Sequence, residues 1–322
     1  MSRLPRLKVD SGPGWYHLCS RVAGSPDWFP FDDPAARQKL YDILRFYLNV
    51  YFCDTAGFCI LSNHYHLLVR FLPFRKLADS ELLQRAKLLY PSPEKKLRTK
   101  KQRRRFNQRL FDVSELMRNV QMACAKWYNL NHNRRGAFWA ERFKSVLLQD
   151  PQAILDALLY VELNPLRAGL VQRPEDWQYG SAHLRALGQD DWLIPLHELI
   201  GKMPGMPTVE RFRALLYHRG AVQSKPGTGA IPPEILLQEQ QRGFRLGGLF
   251  RKRLRWYSDG LVLGSQQQVQ KWVDRMRQTG RYLRRKRPIR KRLGQADIFM
   301  LREQRKLQNP AHAPAKPFPP PH

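Results

Sequence analysis

The chain has 322 residues, 43% of them hydrophobic, with 56 Lys and Arg against 27 Asp and Glu, a formal net charge of +29 and a pI near 10.5. That length and apolar content support a full core, globular at least in part, with room for more than one module. No run approaches the ~18 uninterrupted apolar residues of a membrane helix, and residues 1–10 are not followed by an apolar segment, so membrane insertion and Sec export are not expected and a nucleic-acid partner is.

Taken in order, Gly12-Pro13-Gly14 breaks the chain before Trp15 to Val22, an alternating first strand preceded by a basic arm. Asp33-Pro34 opens a helix over Arg37 to Asn49, with Leu40, Ile43, Leu44, Tyr47 and Leu48 at amphipathic spacing. Tyr51 to Leu61 is aromatic, apolar and β-branched, and Asn63 turns it into a strand from His64 to Phe71. Leu77 to Tyr90 reads as helical. In Glu94 to Arg109, nine Lys and Arg with one acid leave few apolar residues to pack, so this reads as an exposed basic insertion, a phosphate-binding surface in preference to the alternative of a merely solvated face.

Val113, Leu116, Met117, Val120, Cys124 and Tyr128 mark a second amphipathic helix, capped by Asp112 or Ser114. A final strand through Arg142 to Val146 leads into a helix opened by Asp150-Pro151. The sum is β-α-β-β-α-β-α, an α+β, ferredoxin-like or RRM-like antiparallel sheet with helices on one face. Residues 1–187 would form this domain, with the insertion at about 74–111; 188–245 read as a connecting segment, 246–300 as a basic helical C-terminal extension, and 301–322 as a Pro-rich disordered tail. Cys19, Cys53, Cys59 and Cys124 form no C-x-x-C pair and read as reduced core residues of a cytoplasmic protein.

Two stretches carry chemistry. Side chains alternate along a strand, so His64 and His66 share one face while Tyr65, Leu67 and Val69 share the other. Two imidazoles on one face suit zinc or manganese, and magnesium with further oxygen donors; two histidines in a polar sheet face are the plainer alternative. On the helix after Asp150, Asp156, Tyr160 and Asn164 fall at i, i+4 and i+8, a polar stripe beside Ile154, Leu158 and Val161. Taken singly, Tyr160 suits a core aromatic and Asn164 before Pro165 suits a helix stop.

Three ordered motifs then resemble a family. Ile60-Leu61-Ser62-Asn63-His64-Tyr65-His66-Leu67-Leu68-Val69, Arg135-Gly136-Ala137-Phe138-Trp139-Ala140-Glu141-Arg142-Phe143-Lys144-Ser145, and Tyr160-Val161-Glu162-Leu163-Asn164-Pro165-Leu166-Arg167-Ala168-Gly169-Leu170-Val171 are similar to signatures of the single-tyrosine HUH transposases. Within that family they lie nearest the REP-associated tyrosine transposases of the IS200/IS605-like group. The resemblance spans about residues 14–185; Leu61-Ser62 stands where the family usually has Met-Pro, and the basic insertion is a larger departure. It implies that Tyr160 is the nucleophile, that His64, His66 and Asn164 hold a divalent ion, Mg²⁺ or Mn²⁺, and that the substrate is single-stranded or hairpin-forming palindromic DNA.

It further implies metal-dependent cleavage through a 5′-phosphotyrosine, by a monomer or homodimer in the bacterial cytoplasm, associated with the nucleoid. Arg134, Arg135, Arg142 and Lys144, beside the last strand, and Lys100, Lys101, Arg103, Arg104 and Arg105 of the insertion are the expected DNA contacts. Trp139 suits either base stacking or core, and His17 reads as a structural histidine rather than a fourth ligand. A non-catalytic nucleic-acid-binding regulator on the same fold is the alternative. A zinc hydrolase is disfavoured because H-E-x-x-H and C-x-x-C are absent.

Overall fold

The computed structural model describes residues 7–9, 12–25, 27–201, 205–223, 226–241, 261–279, 281–283, 288–293, 296–301 and 304–306. Strand β1 (Gly14–Arg21) leads through a loop to α1 (Pro34–Val50), then β2 (Cys53–Ile60) and β3 (His64–Phe71). Next come α2 (Asp79–Leu89), α3 (Pro93–Lys96), α4 (Lys100–Leu110), α5 (Val113–Asn131), β4 (Lys144–Leu148), α6 (Pro151–Glu162) and α7 (Asn164–Arg167). Then follow α8 (Ser181–Ala186), α9 (Leu196–Ile200), α10 (Thr208–Gly220), α11 (Pro233–Gln241), β5 (Val262–Gly264) and α12 (Gln266–Gln278). Strands β6 (Arg281–Leu283), β7 (Ile289–Leu293), β8 (Ala296–Leu301) and β9 (Gln304–Lys306) end the described chain.

The first four strands lie in the order β2-β3-β1-β4, all antiparallel, as the βαββαβ ferredoxin-like plan expects. Alternation gives the two central strands different faces. Leu18, Tyr65, Leu67 and Val69 point into one core, covered by Leu40, Ile43 and Leu44 of α1 and Leu116, Met117 and Val120 of α5. Asp33 starts α1 by accepting from the Ala35 and Ala36 N–H groups, with Pro34 in the first turn where no donor is lost.

Helices on one face therefore describe the two crossover helices alone. Ala56, Cys59, Leu68, Val146 and Leu148 leave an apolar patch on the opposite face, and α6 covers it with Ala153, Ala157, Leu158 and Val161. Gly57 makes this approach possible: a Cβ there would meet Leu158 Cδ1 at 2.6 Å, and the β2–β3 register shifts between Thr55 and Gly57.

Three other expectations change. The basic insertion is helical and docked, because α4 sends Phe106 and Leu110 into the core, the buried Asn107 holds the Leu77 N–H and the Arg75 carbonyl, and Thr99 and Gln102 form a capping box. The segment expected to connect carries α9, α10 and α11, whose Leu196, Phe212, Leu216 and Ile235 extend the α6 core. The expected helical extension contains the helix α12 but also β5, β8 and β7, which continue the main sheet from β4, with β4 and β5 parallel. Three-residue strands and a strand as charged as β7 offer no hydrophobic alternation long enough to read. Residues 242–260 and 307–322, which include most of the expected tail, lie outside the described residues.

Candidate active site

The β1–β3 register pairs Arg21 with His64, Cys19 with His66 and His17 with Leu68. Directly paired residues share a face, so the alternating set His17, Cys19 and Arg21 lines up with His64 and His66. On this face α6, started by the Asp150 carboxylate on the Ala153 N–H, lays Tyr160 against the histidines. The half-buried Tyr160 ring stands edge-on to His66 at 5.4 Å and to His17 at 5.6 Å, and His64 and His66 are 5.1 Å apart. Two stretches almost a hundred residues apart in sequence thus meet.

The buried His17 and His66 rings are linked, His17 Nε2 to His66 Nδ1 at 2.9 Å. His64 engages Asn63 Oδ1 through Nδ1 at 2.8 Å, and since that oxygen only accepts, His64 carries its proton on Nδ1 and keeps a lone pair on Nε2. The Nε2 of His66 is buried with no hydrogen-bond partner. An unsatisfied buried imidazole nitrogen is costly, and a cation taking its lone pair removes the cost.

Among the described residues no three His, Cys, Asp or Glu side chains are grouped to hold an ion, so any ion needs oxygen donors beyond the histidine pair. Asn164 opens α7, half-buried, and its Nδ2 donates to the Tyr160 carbonyl at 2.7 Å, which leaves Oδ1 as its acceptor atom. This bond ties the amide to the end of the helix that bears Tyr160. Two imidazole nitrogens, an amide oxygen and an incoming phosphate are a suitable donor set for a divalent cation.

Burial lowers the His64 imidazole to about 4, with the Arg21 guanidinium adding to the effect, and lowers His66 well below its ordinary range, with His17 and His64 adding to it. Both stay neutral near pH 7, the state that ligates metal. Burial lifts the Cys19 thiol to about 12 and the Cys59 thiol well above the ordinary thiol range, so both stay protonated near pH 7.

Two residues after Tyr160, the buried Glu162 takes hydrogen bonds from the Ser181 hydroxyl and the Ala182 N–H, and burial raises it to about 7. These groups have opposite linkage signs. His64, lowered on folding, adds stability that is full above about 6.5 and is lost as pH falls towards about 4, and His66, also lowered on folding, adds stability in the same direction. Glu162, raised on folding, adds stability that is present at low pH and is lost as pH rises from 4.5 to about 7. Glu162→Gln is therefore expected to steepen the loss of urea midpoint between pH 6.5 and 4.5 relative to the parent protein, and an unchanged slope would refute this linkage.

The predicted DNA contacts divide. Lys144 and Arg135 are exposed and Arg142 is half-buried, with Lys144 on the histidine face. Arg134 lies over Trp28 at 4.5 Å and donates to Asn129 and the Ala137 carbonyl, bracing its own loop. Trp139 follows the core reading: its indole N–H meets the Gln121 carbonyl, and its ring is edge-on to Tyr65. Lys100, Lys101, Arg104 and Arg105 are exposed on α4, while Arg103 is spent on Asp79 and the Leu97 carbonyl.

No family model matches the chain. A protein of Haemophilus influenzae described as "Putative REP-associated tyrosine transposase" is 24% identical over 142 residues, 43% of this chain and 66% of that protein. The chain is similar to REP-associated tyrosine transposases. The match covers just under two thirds of that relative's length. Among solved structures, a REP-associated tyrosine transposase bound to a REP hairpin shares 14% identity, with a TM-score of 0.39 over 61% of this chain and 89% of the other. Among the described residues no helix is long and apolar enough to cross a membrane.

Three residues beside the histidine pair, His17, Arg21 and Asn63, stand outside the expected site set, His17 being expected as a structural histidine. The signal for the first two was present: His17, Cys19 and Arg21 alternate along one strand as His64 and His66 do along another. Asn63 stands immediately before His64 and orients it.

Proposed function

We propose that this chain is a divalent-metal-dependent, single-tyrosine endonuclease and strand transferase acting on single-stranded, hairpin-forming palindromic DNA. The observation that carries the reading is Tyr160 placed edge-on against His66 and His17, beside a buried His66 Nε2 that has no protein partner. The similarity to REP-associated tyrosine transposases supports the substrate class.

His64, His66 and Asn164 would hold the ion, which when bound supplies Lewis-acid polarisation of the scissile phosphate. The chain's own groups do the rest. The Tyr160 hydroxyl attacks phosphorus, losing its proton as the O–P bond forms; the 3′ oxygen leaves and takes a proton, and the 5′ end stays on Tyr160 as a phosphotyrosine. A free 3′-OH reverses the exchange and joins strands, with no nucleotide consumed. Arg21 beside His64 and Lys144 on the same face would supply positive charge to a phosphate bound at the histidines.

His17 acts through His66. For Nε2 of His66 to present a lone pair, its proton must be on Nδ1 and be donated to His17 Nε2, the role a carboxylate or carbonyl plays behind many metal-binding histidines. His17→Ala is expected to weaken Mn²⁺ binding about 10- to 100-fold, and His17→Gln, which keeps an acceptor, to restore part of it. Calorimetric titration checks this, and equal affinity in all three proteins would remove His17 from the site.

A further inference from the structure

Helix α4 has two kinds of cation. Arg103 and Arg109 face the body and pair with Asp79 and Glu115. Lys100, Lys101, Arg104 and Arg105 face outward, exposed, and form no ion pair among the described residues. Helical spacing aligns Lys100, Arg104 and Gln108 in one stripe at i, i+4 and i+8, roughly 12 Å long. The stripe ends at a cavity of ≈ 200 Å³ lined in part by Gln108, Phe111, Phe74, Tyr16, Phe71 and Lys8.

Tyr16, Phe71, Phe74 and Phe111 line the cavity, and Phe74 stands at its open rim with Leu72, Pro73 and Lys8. Phe74 is 57% exposed and edge-on to Phe111 at 5.5 Å, and Phe111 is in turn stacked on Phe52 at 4.5 Å. An exposed phenylalanine costs solvation, and here the Phe111 ring backs it. Gln108 supplies both a donor and an acceptor at the rim. A row of unpaired cations leading to an aromatic pocket matches a phosphodiester strand with one base unstacked, because cations track phosphates and every base has a π-face.

This place is separate from the tyrosine site. Phe71, which lines the cavity, ends β3 and pairs with Gly14, while His64 begins it, roughly 23 Å away along the strand. Phe106 and Leu110 of α4 also belong to the core on the sheet face opposite Tyr160.

We infer that α4 and the Phe74 pocket form a second binding site for a single nucleic-acid strand, phosphates on Lys100, Lys101, Arg104 and Arg105 and one base on Phe74. The inference does not require Tyr160 to cut DNA. Its test is the salt dependence of binding by the full chain, measured by fluorescence anisotropy on labelled oligodeoxythymidylate and oligouridylate long enough to span both ends of the sheet; the two arms separate DNA from RNA.

Changing the four cations to Gln should reduce the log–log salt slope by ~0.7 for each phosphate no longer neutralised, so by about 2 to 3. Phe74→Ala should weaken binding roughly five-fold or more at fixed salt with the slope kept, and Phe74→Trp should restore it. All five side chains are exposed, so the melting temperature should hold and fold loss is separable. Parental slope and affinity in both variants would overturn the site; a lowered slope with no effect at Phe74 would overturn the base pocket. Failure of covalent adduct formation at Tyr160, with these binding changes intact, would remove the nuclease reading and leave this site standing.

Discussion

Tyr160→Phe is expected to abolish the SDS-stable protein–DNA adduct formed with Mn²⁺ or Mg²⁺ and a palindromic hairpin oligonucleotide, with no residual covalent product on a denaturing gel. The change removes one oxygen, and that oxygen is the atom that would bond to phosphorus. The ring stays, so the edge-on packing against His66 and His17 persists and the fold should be unaffected. Hairpin binding should also persist, because Arg21, Lys144 and the outward face of α4 are untouched. His66→Ala should give the same loss of adduct, with Mn²⁺ binding lost as well. An adduct that survives in the phenylalanine variant would assign the nucleophile elsewhere. No adduct from the parent protein on any hairpin, with tight binding retained, would favour the non-catalytic regulator.

The second large effect is one of stability. Asp156→Ala is expected to cost about 3–5 kcal/mol, read as a fall in urea midpoint, because it strands a charge in the interior. Asp156 and Arg219 of α10 are both buried and paired carboxylate to guanidinium. Arg167, just beyond Asn164, donates to the Arg219 and Gly229 carbonyls, so the same locus also fixes the turn that bears Asn164. Replacing both charged partners by apolar residues of similar volume should recover most of the loss, since the pair's attraction does little more than offset its desolvation. A cost within about 0.5 kcal/mol for the single variant, the range of ordinary surface changes, would show that the pair is not buried in solution.

Asp156 illustrates how far pattern reading reaches. The i, i+4, i+8 stripe Asp156, Tyr160, Asn164 is real as spacing, yet its members serve different ends. Tyr160 faces the histidines, Asn164 closes the helix end, and Asp156 is taken by a residue sixty-three positions away. Periodicity identifies a polar face but not its partner. The same limit explains the insertion: its charge density was legible, but the burial of Phe106 and Leu110, two apolar residues among many cations, depended on a core supplied by other elements.

The sequence by itself determined the order of the four strands β1 to β4 and of α1, α5 and α6 among them, the face shared by His64 and His66, the start of each of these helices, and the excess of positive charge from which a polyanionic partner is expected. These follow from local rules: alternation of period two, helical spacing, capping side chains and net charge all act within a few residues. Only the tertiary structure decided that His17 and Arg21 join the histidine face, that α6 crosses to the side opposite α1 and α5, that α9, α10 and α11 pack on α6, and that β5, β8 and β7 extend the sheet. Those outcomes depend on register and packing between segments far apart in the chain. There the free energy belongs to the pair of surfaces brought together and is written in neither segment alone.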